Sequence, residues 1–415
     1  MRSQSDPHDV NLTTLALSGD ALLRDLNQLR EQDPVHWSDA SQCWIITGHA
    51  EVMQGFSGTL PLSSYALPDA LYFVLPKEQL DKRIPNTVHF MPRISTNLDG
   101  QTHADLRRLL VKAVNRKLVE DLRPYVRERV AMLLEQAAAK GEVEFHEEIA
   151  RMLPGAVILR LLGMTPDYLA RLKGWADGVT LALTSFNPKV EWLDALEVVI
   201  NDMLTMFRAQ MEQRRTAPQS DLITQLMTTV EDGARLSIDD ILATLIQVIV
   251  AGHDTTTNSM TLGIRALAGD PAAWQYWREH PERSVDCTIE LMRYMAMSAA
   301  LRRFVARDFE WGGKKLRQGD FVMLMIAGGN RDPRVFPNPE RIDFGRANDA
   351  SLTFGPGLHH CIGHLLAKLQ LSEFFTALVQ RFDRVEILEE PRFNAQLVFR
   401  SVADLRVRFI PRAAA

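Results

Sequence analysis

Cys361 is the residue around which this sequence gathers its chemistry. It stands in Phe354–Gly363, FGPGLHHCIG, just past Gly355, Pro356 and Gly357, and a helix-forming run, HLLAKLQLSEFF, follows at once. A cysteine at such a junction faces backbone N–H groups left unpaired by the first helical turn. Those donors and the helix dipole lower its pKa and favour thiolate. Gly355, Gly357 and Gly363 let backbone pass close to a large flat ligand. A buried thiolate with N–H donors suits the axial position of a haem iron, the donors tuning its potential. Two blander uses fit the segment taken alone. One is a structural cysteine in a glycine-rich turn. The other is zinc, because His359, His360 and His364 crowd the sulfur, although no paired Cys/His motif elsewhere completes a tetrahedral site.

A second constellation is Ala251-Gly252-His253-Asp254-Thr255-Thr256, inside a long helical stretch. Gly in a helix interior costs about 1 kcal/mol relative to Ala and needs a reason. Asp254 beside Thr255 sets an acid next to a hydroxyl, an arrangement suited to passing protons; a solvated Asp and a Thr bonding back to its own helix read as well from these residues alone. His103 and Arg107 in DGQTHADLRRLL are four apart on one helical face, where two cationic donors suit two carboxylates. Glu290 and Arg293 lie three apart and can pair, a contact worth under about 1 kcal/mol at a surface.

These residues must be carried by helices. Apolar periodicity predicts helices near 103–118, 121–139, 145–162, 166–185, 189–214, 237–268, 284–296 and 364–381. Ser237 is a fitting N-cap for the longest, with Asp239 and Asp240 in its first turn. Strand-like runs are short: Val35–Trp37, Cys43–Thr47, Arg303–Glu310, Lys314–Met325 and Gln396–Phe409, with hairpin turns at Gly312-Gly313 and at Gln318-Gly319-Asp320. Residues 55–100 and 328–360 are irregular but carry apolar anchors such as Phe336 and Phe354. With no clean boundary, 1–415 reads as one large domain, mainly α with a minor β portion.

Composition narrows the function classes. Hydrophobic residues are 46% and charged residues 24% of 415, which excludes general disorder and permits a large core. A formal net charge of −5 argues against nucleic acid as a general partner. Three cysteines cannot build a disulfide framework and fit a reducing compartment. The N-terminal MRSQSDPHDV has no apolar signal core, and the longest apolar run, near 241–252, is too short to span a bilayer. A cytoplasmic protein without a membrane anchor is expected.

FGPGLHHCIG fits the haem-binding signature of the cytochrome P-450 family, FGxGxHxCxG, at every fixed position, and the chain resembles a soluble bacterial member over roughly residues 30 to 410. The resemblance implies haem b ligated by the Cys361 thiolate beneath a long central helix. It implies that Ala251, Gly252, Phe354 and Gly355 adjoin the haem, with Gly252 in a distorted turn that makes room for dioxygen. His103, Arg107, Arg303 and His359 match donors to the haem propionates, Arg302 being the neighbour most easily mistaken for Arg303. Asp254 and Thr255 match the acid–alcohol pair that relays protons to iron-bound oxygen. Glu290 and Arg293 match a buried structural pair joined by an Arg of the meander, here Arg331 or Arg346. The meander GGNRDPRVFPNPERIDF follows ANRDPxxFxxPxxFD with Gly329 for Ala and Ile342 for Phe, and Met297 replaces the usual Pro four residues after Arg293.

The activity so implied is a monooxygenase that inserts one oxygen atom of O2 into a C–H bond of a mid-sized hydrophobic molecule. Oxidative coupling, desaturation or rearrangement would share these motifs, and a non-catalytic haem protein is disfavoured by the retained Asp254 and Thr255. The chain ends near 415 with PRAAA, so electrons are expected from a separate ferredoxin-type donor, docked by the stripe Arg108, Lys112 and Arg116. The substrate pocket is expected among 55–100, 181–186 and Ser298–Leu301, with Val250, Ala251, Ala299 and Ala300 in its wall. Gln247, one turn before Ala251 on the same face, is expected to meet a polar substrate group or a pocket water, the alternative being a carbonyl of a neighbouring loop.

Overall fold

The periodic stretches become packed helices in the computed structural model, which describes residues 10–17, 19–64, 75–184, 190–394, 396 and 398–412. The helices that matter here are α1 (Ala21–Gln32), α2 (Gly100–Ala113), α3 (Arg123–Lys140), α4 (Met152–Leu161), α5 (Leu169–Thr184), α6 (Val190–Thr216), α7 (Ile238–Ala268), α8 (Ser284–Met295) and α9 (His364–Arg381). The expected 103–118 helix is two: α2 stops at Ala113, and Asn115 caps a short helix at Arg116–Glu120 by accepting from the Leu118 N–H at 2.9 Å.

α7 is the axis of the fold. Its 31 residues span about 46 Å at 1.5 Å per residue. A capping box starts it: the Asp240 N–H donates to Ser237 Oγ at 3.1 Å, and the Ser237 N–H donates to Asp240 Oδ2 at 3.2 Å. Such a cap contributes about 1 kcal/mol. α4, α5, α6, α8 and α9 all pack on α7, because apolar residues run around most of its circumference, from Ile241, Leu242 and Leu245 to Met260, Ile264 and Leu267, all buried.

The strands are β1 (Val35–Ser38), β2 (Cys43–Ile46), β3 (Leu62–Ser63), β4 (Glu142–Glu144), β5 (Val230–Glu231), β6 (Ala234–Arg235), β7 (Leu301–Val305), β8 (Phe309–Trp311), β9 (Lys314–Leu316), β10 (Phe321–Leu324), β11 (Phe382–Ile387) and β12 (Arg406–Pro411). The larger sheet runs β1-β2-β10-β7-β3, with β10 parallel to β2 and the other pairs antiparallel. β8 and β9 form the expected hairpin, Trp311 facing Lys314 across Gly312 and Gly313, both at positive φ. A second sheet, β11-β12-β4, was only half legible. β12 begins near the end of the expected Gln396–Phe409 run, and β11 pairs with it through a register shift at Phe382/Arg384 that breaks the period of two. Among the described residues no helix is long and apolar enough to cross a membrane.

Candidate active site

The cysteine loop lies between the meander and α9. Gly355 adopts φ +66°, a left-handed conformation with open space where a Cβ would be, whereas Gly357 brings its Cα against the Phe56 carbonyl: a Cβ there would lie 2.3 Å from that oxygen. So Gly357 allows a close approach between two protein segments. The Cys361 N–H donates to Phe354 O at 2.9 Å, and Cys361 O meets His364 Nδ1 at 2.8 Å. The expected lowering of the thiol pKa is corrected. Burial pushes the Cys361 thiol up, outweighing the Gly363 N–H, the Arg107 charge and the His364 N–H that pull it down. α9 begins only at His364, so its dipole acts from beyond the sulfur. Among the described residues no three His, Cys, Asp or Glu side chains converge as ligands for a bare metal ion.

A cluster of two arginines and two histidines stands beside this loop. α2 projects His103 and Arg107, β7 projects Arg303, and the loop itself supplies His359. The His103 and His359 rings lie 4.0 Å apart between centroids. Arg107 Nη2 donates to His360 O at 2.5 Å, joining α2 to the cysteine loop. Arg303 is buried over the Phe56 ring and donates to its neighbour's carbonyl, Arg302 O, at 2.7 Å. Strand alternation settles which arginine belongs here: Arg303 pairs with Val322 and Arg302 with Met323, on opposite faces of β7. Burial, then the neighbouring Arg107, lowers the His103 pKa; burial, then His103 and Arg303, brings His359 down to about 3; burial lowers Arg303 to about 10. Asp99 approaches His359 at 3.9 Å but is itself held by the Ser64 N–H at 3.0 Å. Among the described residues the buried His103 Nε2 has no hydrogen-bond partner.

On α7, Ala251 is exposed, and Gln247, Val250, Gly252, Asp254 and Thr255 are half-buried, so a strip in the middle of the central helix is uncovered. The helix runs unbroken through Gly252. A Cβ on Gly252 would meet Ile158 Cδ1 at 3.2 Å, so this glycine admits α4 against α7. Asp254 and Thr255 do not bond to one another. Thr255 Oγ1 donates to Ala251 O at 2.6 Å. Asp254 accepts from His253 Nδ1 at 2.8 Å and from Thr180 Oγ1 on α5. Burial raises the Asp254 pKa, but His253, Thr180 and the charge of Arg151 outweigh it and hold the carboxyl below its ordinary value. No spacing in the sequence pairs Thr180 with Asp254, which lies 74 residues away.

Glu290 and Arg293 are both fully buried and pair bidentately, Arg293 Nε to Oε2 at 2.7 Å and Nη2 to Oε1 at 2.9 Å. Arg293 also donates to the carbonyls of Asn330, Pro339 and Arg341. The third member is Arg346, 3.4 Å from Glu290, while Arg331 turns to Glu340 and the Tyr294 carbonyl. The meander is thereby bolted to α8.

One expectation changes and two narrow. Ala299 and Ala300 do not line open space. Both are fully buried among Leu22, Leu26, Met323 and Met325, because their N–H groups reach Val398 O and draw the segment into the core. The Gln247 oxygen is already taken, Oε1 accepting from the Ser95 N–H at 3.2 Å and from Ser95 Oγ at 2.9 Å, which leaves Nε2 as the atom that could meet a polar substrate group or a water. The basic stripe is partly occupied by the hairpin β5–β6, Lys112 pairing with Glu231 and Arg108 approaching Asp232 at 3.7 Å. Of the expected pocket wall, 65–74 and 185–186 lie outside the described residues.

The Cytochrome P450 family model matches residues 179–283 and 285–399, together more than half of the chain. The steroid C26-monooxygenase of Mycolicibacterium smegmatis is 27% identical over 94% of this chain and 91% of its own, and the linalool 8-monooxygenase of Pseudomonas putida is 27% identical over 93% and 95%. The solved structure of cytochrome P450 CYP109Q5 from Chondromyces apiculatus superposes with a TM-score of 0.85 at 24% identity, covering 98% of this chain and all of that one. The family implies haem, and the residues present fit it. Two arginines, Arg303 buried and Arg107 half-buried, beside the neutral His359 ring and a His103 Nε2 without a partner among the described residues, suit an anionic group such as a pair of carboxylates, next to a cysteine loop that offers a sulfur ligand. On sequence, fold and the chemistry of these donors together, the chain belongs to the cytochrome P450 family of monooxygenases.

Proposed function

We propose that this chain, working as a single haem domain, is a haem-thiolate monooxygenase that places one oxygen atom of O2 into a C–H bond of a mid-sized, mainly hydrophobic molecule. The observation that carries this reading is the Arg107 bridge, which unites the cysteine loop with the arginine and histidine cluster in one site. Haem b, when bound, supplies activation of dioxygen with two electrons and two protons.

The chain's own residues then have separable tasks. Cys361 would supply a sulfur ligand to the iron, and binding a cation there would offset the burial that raises its pKa. His103, Arg107, Arg303 and His359 would hold the propionates, giving a partner to His103 Nε2, which has none among the described residues. Phe354, Ile362 and Leu365 on the loop side and Val250 and Ala251 on α7 supply apolar surface that keeps water out. Asp254, held as a carboxylate by His253 and Thr180, would have to leave Thr180 and take up a proton from water before passing it to Thr255 Oγ1, whose own hydroxyl proton would then move on. Electrons come from a separate ferredoxin-type protein. The names of the relatives support an apolar substrate, since one acts on a steroid and another on linalool.

The test is spectroscopic. Haem-loaded protein, reduced under carbon monoxide, should show the spectrum of sulfur ligation, and Cys361→His should replace it with that of histidine ligation. Wild-type protein with a histidine-type spectrum, or without porphyrin, would refute the proposal. A screen for molecules that shift the iron from low to high spin should return hydrophobic compounds.

A further inference from the structure

Gln247 carries an inference about substrate chemistry that rests on the monooxygenase reading and deepens it. Its Oε1 accepts two hydrogen bonds from one residue, the backbone N–H and the hydroxyl of Ser95, itself buried in a short 3-10 turn at Ser95–Asn97. A backbone N–H can only donate, so the carboxamide has one allowed orientation, oxygen toward Ser95 and nitrogen away from it. Nε2 has no hydrogen-bond partner among the described residues, and it is not sealed from solvent in the way the buried orphan atoms of His103 and His253 are. The residue that follows one turn later on the same face, Ala251, is exposed, and Thr255 after it is half-buried. Of the polar groups on this uncovered strip of α7, the Asp254 carboxylate is taken by His253 and Thr180 and the Thr255 hydroxyl donates to Ala251 O, so among the described residues the Gln247 amide is the donor left uncommitted.

We propose that Gln247 is a specificity-determining residue whose Nε2–H donates to an acceptor oxygen of the substrate, so that the preferred substrate is a hydrophobic skeleton bearing a carbonyl, ester or ether oxygen. The acceptor lies one helical turn, about 6 Å along the axis, from the level of Ala251. Ser95 makes the donor rigid before binding, so little side-chain freedom is lost when the acceptor arrives. A substrate without the acceptor leaves a desolvated N–H unpaired, which is what penalises it.

The test uses haem-loaded protein and matched probes that differ only in a ketone: decalone against decalin, and androstanone against androstane. Affinity is read by the spin-state shift and, independently, by the rise in unfolding temperature with added probe. The ketone of at least one pair should bind about tenfold tighter than its hydrocarbon. Gln247→Leu should abolish that preference while leaving hydrocarbon affinity in place or improved. Gln247→Glu should keep the Ser95 contacts, present an acceptor instead of a donor, and move the preference from ketone to the corresponding alcohol or amine. No ketone preference in any pair, absence of binding included, or a preference that survives Gln247→Leu, overturns the inference. Either result leaves the monooxygenase reading standing so long as the reduced, carbonylated protein shows sulfur ligation.

Discussion

Cutting Glu290 to alanine should destabilise the protein far more than a helical i,i+3 pair ordinarily would. Glu290 is fully buried and accepts two bonds from Arg293 and one from the Asp343 N–H at 2.9 Å, with Arg346 as a longer fourth contact. Glu290→Ala leaves the equally buried Arg293 guanidinium with three carbonyls but no counter-charge. Breaking a buried pair from one side costs about 3–5 kcal/mol, against a total stability of roughly 5–15 kcal/mol. Arg346→Ala removes one contact at 3.4 Å and a partly exposed bond to Pro337 O, and should cost about 1 kcal/mol. Glu290→Gln should fall between, since one oxygen still accepts but the amide N–H₂ then faces the Arg293 Nε–H. The assay is urea unfolding of haem-loaded protein followed by circular dichroism, comparing midpoints at unchanged slope. A cost below about 1 kcal/mol for Glu290→Ala, or a cost for Arg346→Ala equal to it, would refute the claim that the meander is held through this carboxylate.

Asp332, buried in the meander, is held by Arg334 and by the His49 N–H; burial raises its pKa, but these donors bring it down from 3.8 to about 2. Because the folded value is depressed, its contribution is present above pH 3.8 and vanishes as pH falls through about 2; Asp332→Asn should remove about 2 kcal/mol of that acid-side dependence, and an unchanged slope in acid titration of stability would rule it out. Thr180→Val takes one donor from Asp254, so its carboxyl should protonate more readily; the acid limb of kcat should move to higher pH with KM unchanged, and a fixed limb excludes Thr180 as a positioning residue. Replacing Glu231 and Asp232 together by their amides frees Lys112 and Arg108; an acidic ferredoxin should then bind more tightly at low salt, and unaltered affinity would remove the stripe from the docking surface.

Much of this protein is local and was therefore open to reading in the sequence. Helical periodicity, the Ser237 cap and the Gly312-Gly313 turn depend on residues a few positions apart, and α7, α9 and the β8–β9 hairpin lie where such spacing puts them. The cysteine loop and the Glu290–Arg293 pair are local for the same reason. What local spacing cannot carry is the partner brought from far along the chain, or the balance of burial against charge. Only the packed structure chose Arg346 over Arg331, set Arg303 and Arg302 on opposite faces of β7, and drew Ala299 and Ala300 into the core. It also turned the Asp254 carboxylate to Thr180, gave the Gln247 oxygen to Ser95, and let desolvation outweigh the N–H donors at Cys361. Each of those outcomes is a competition among groups that meet only after the chain has folded, and the energies that decide it depend on distance and on exclusion of water, neither of which exists along a sequence.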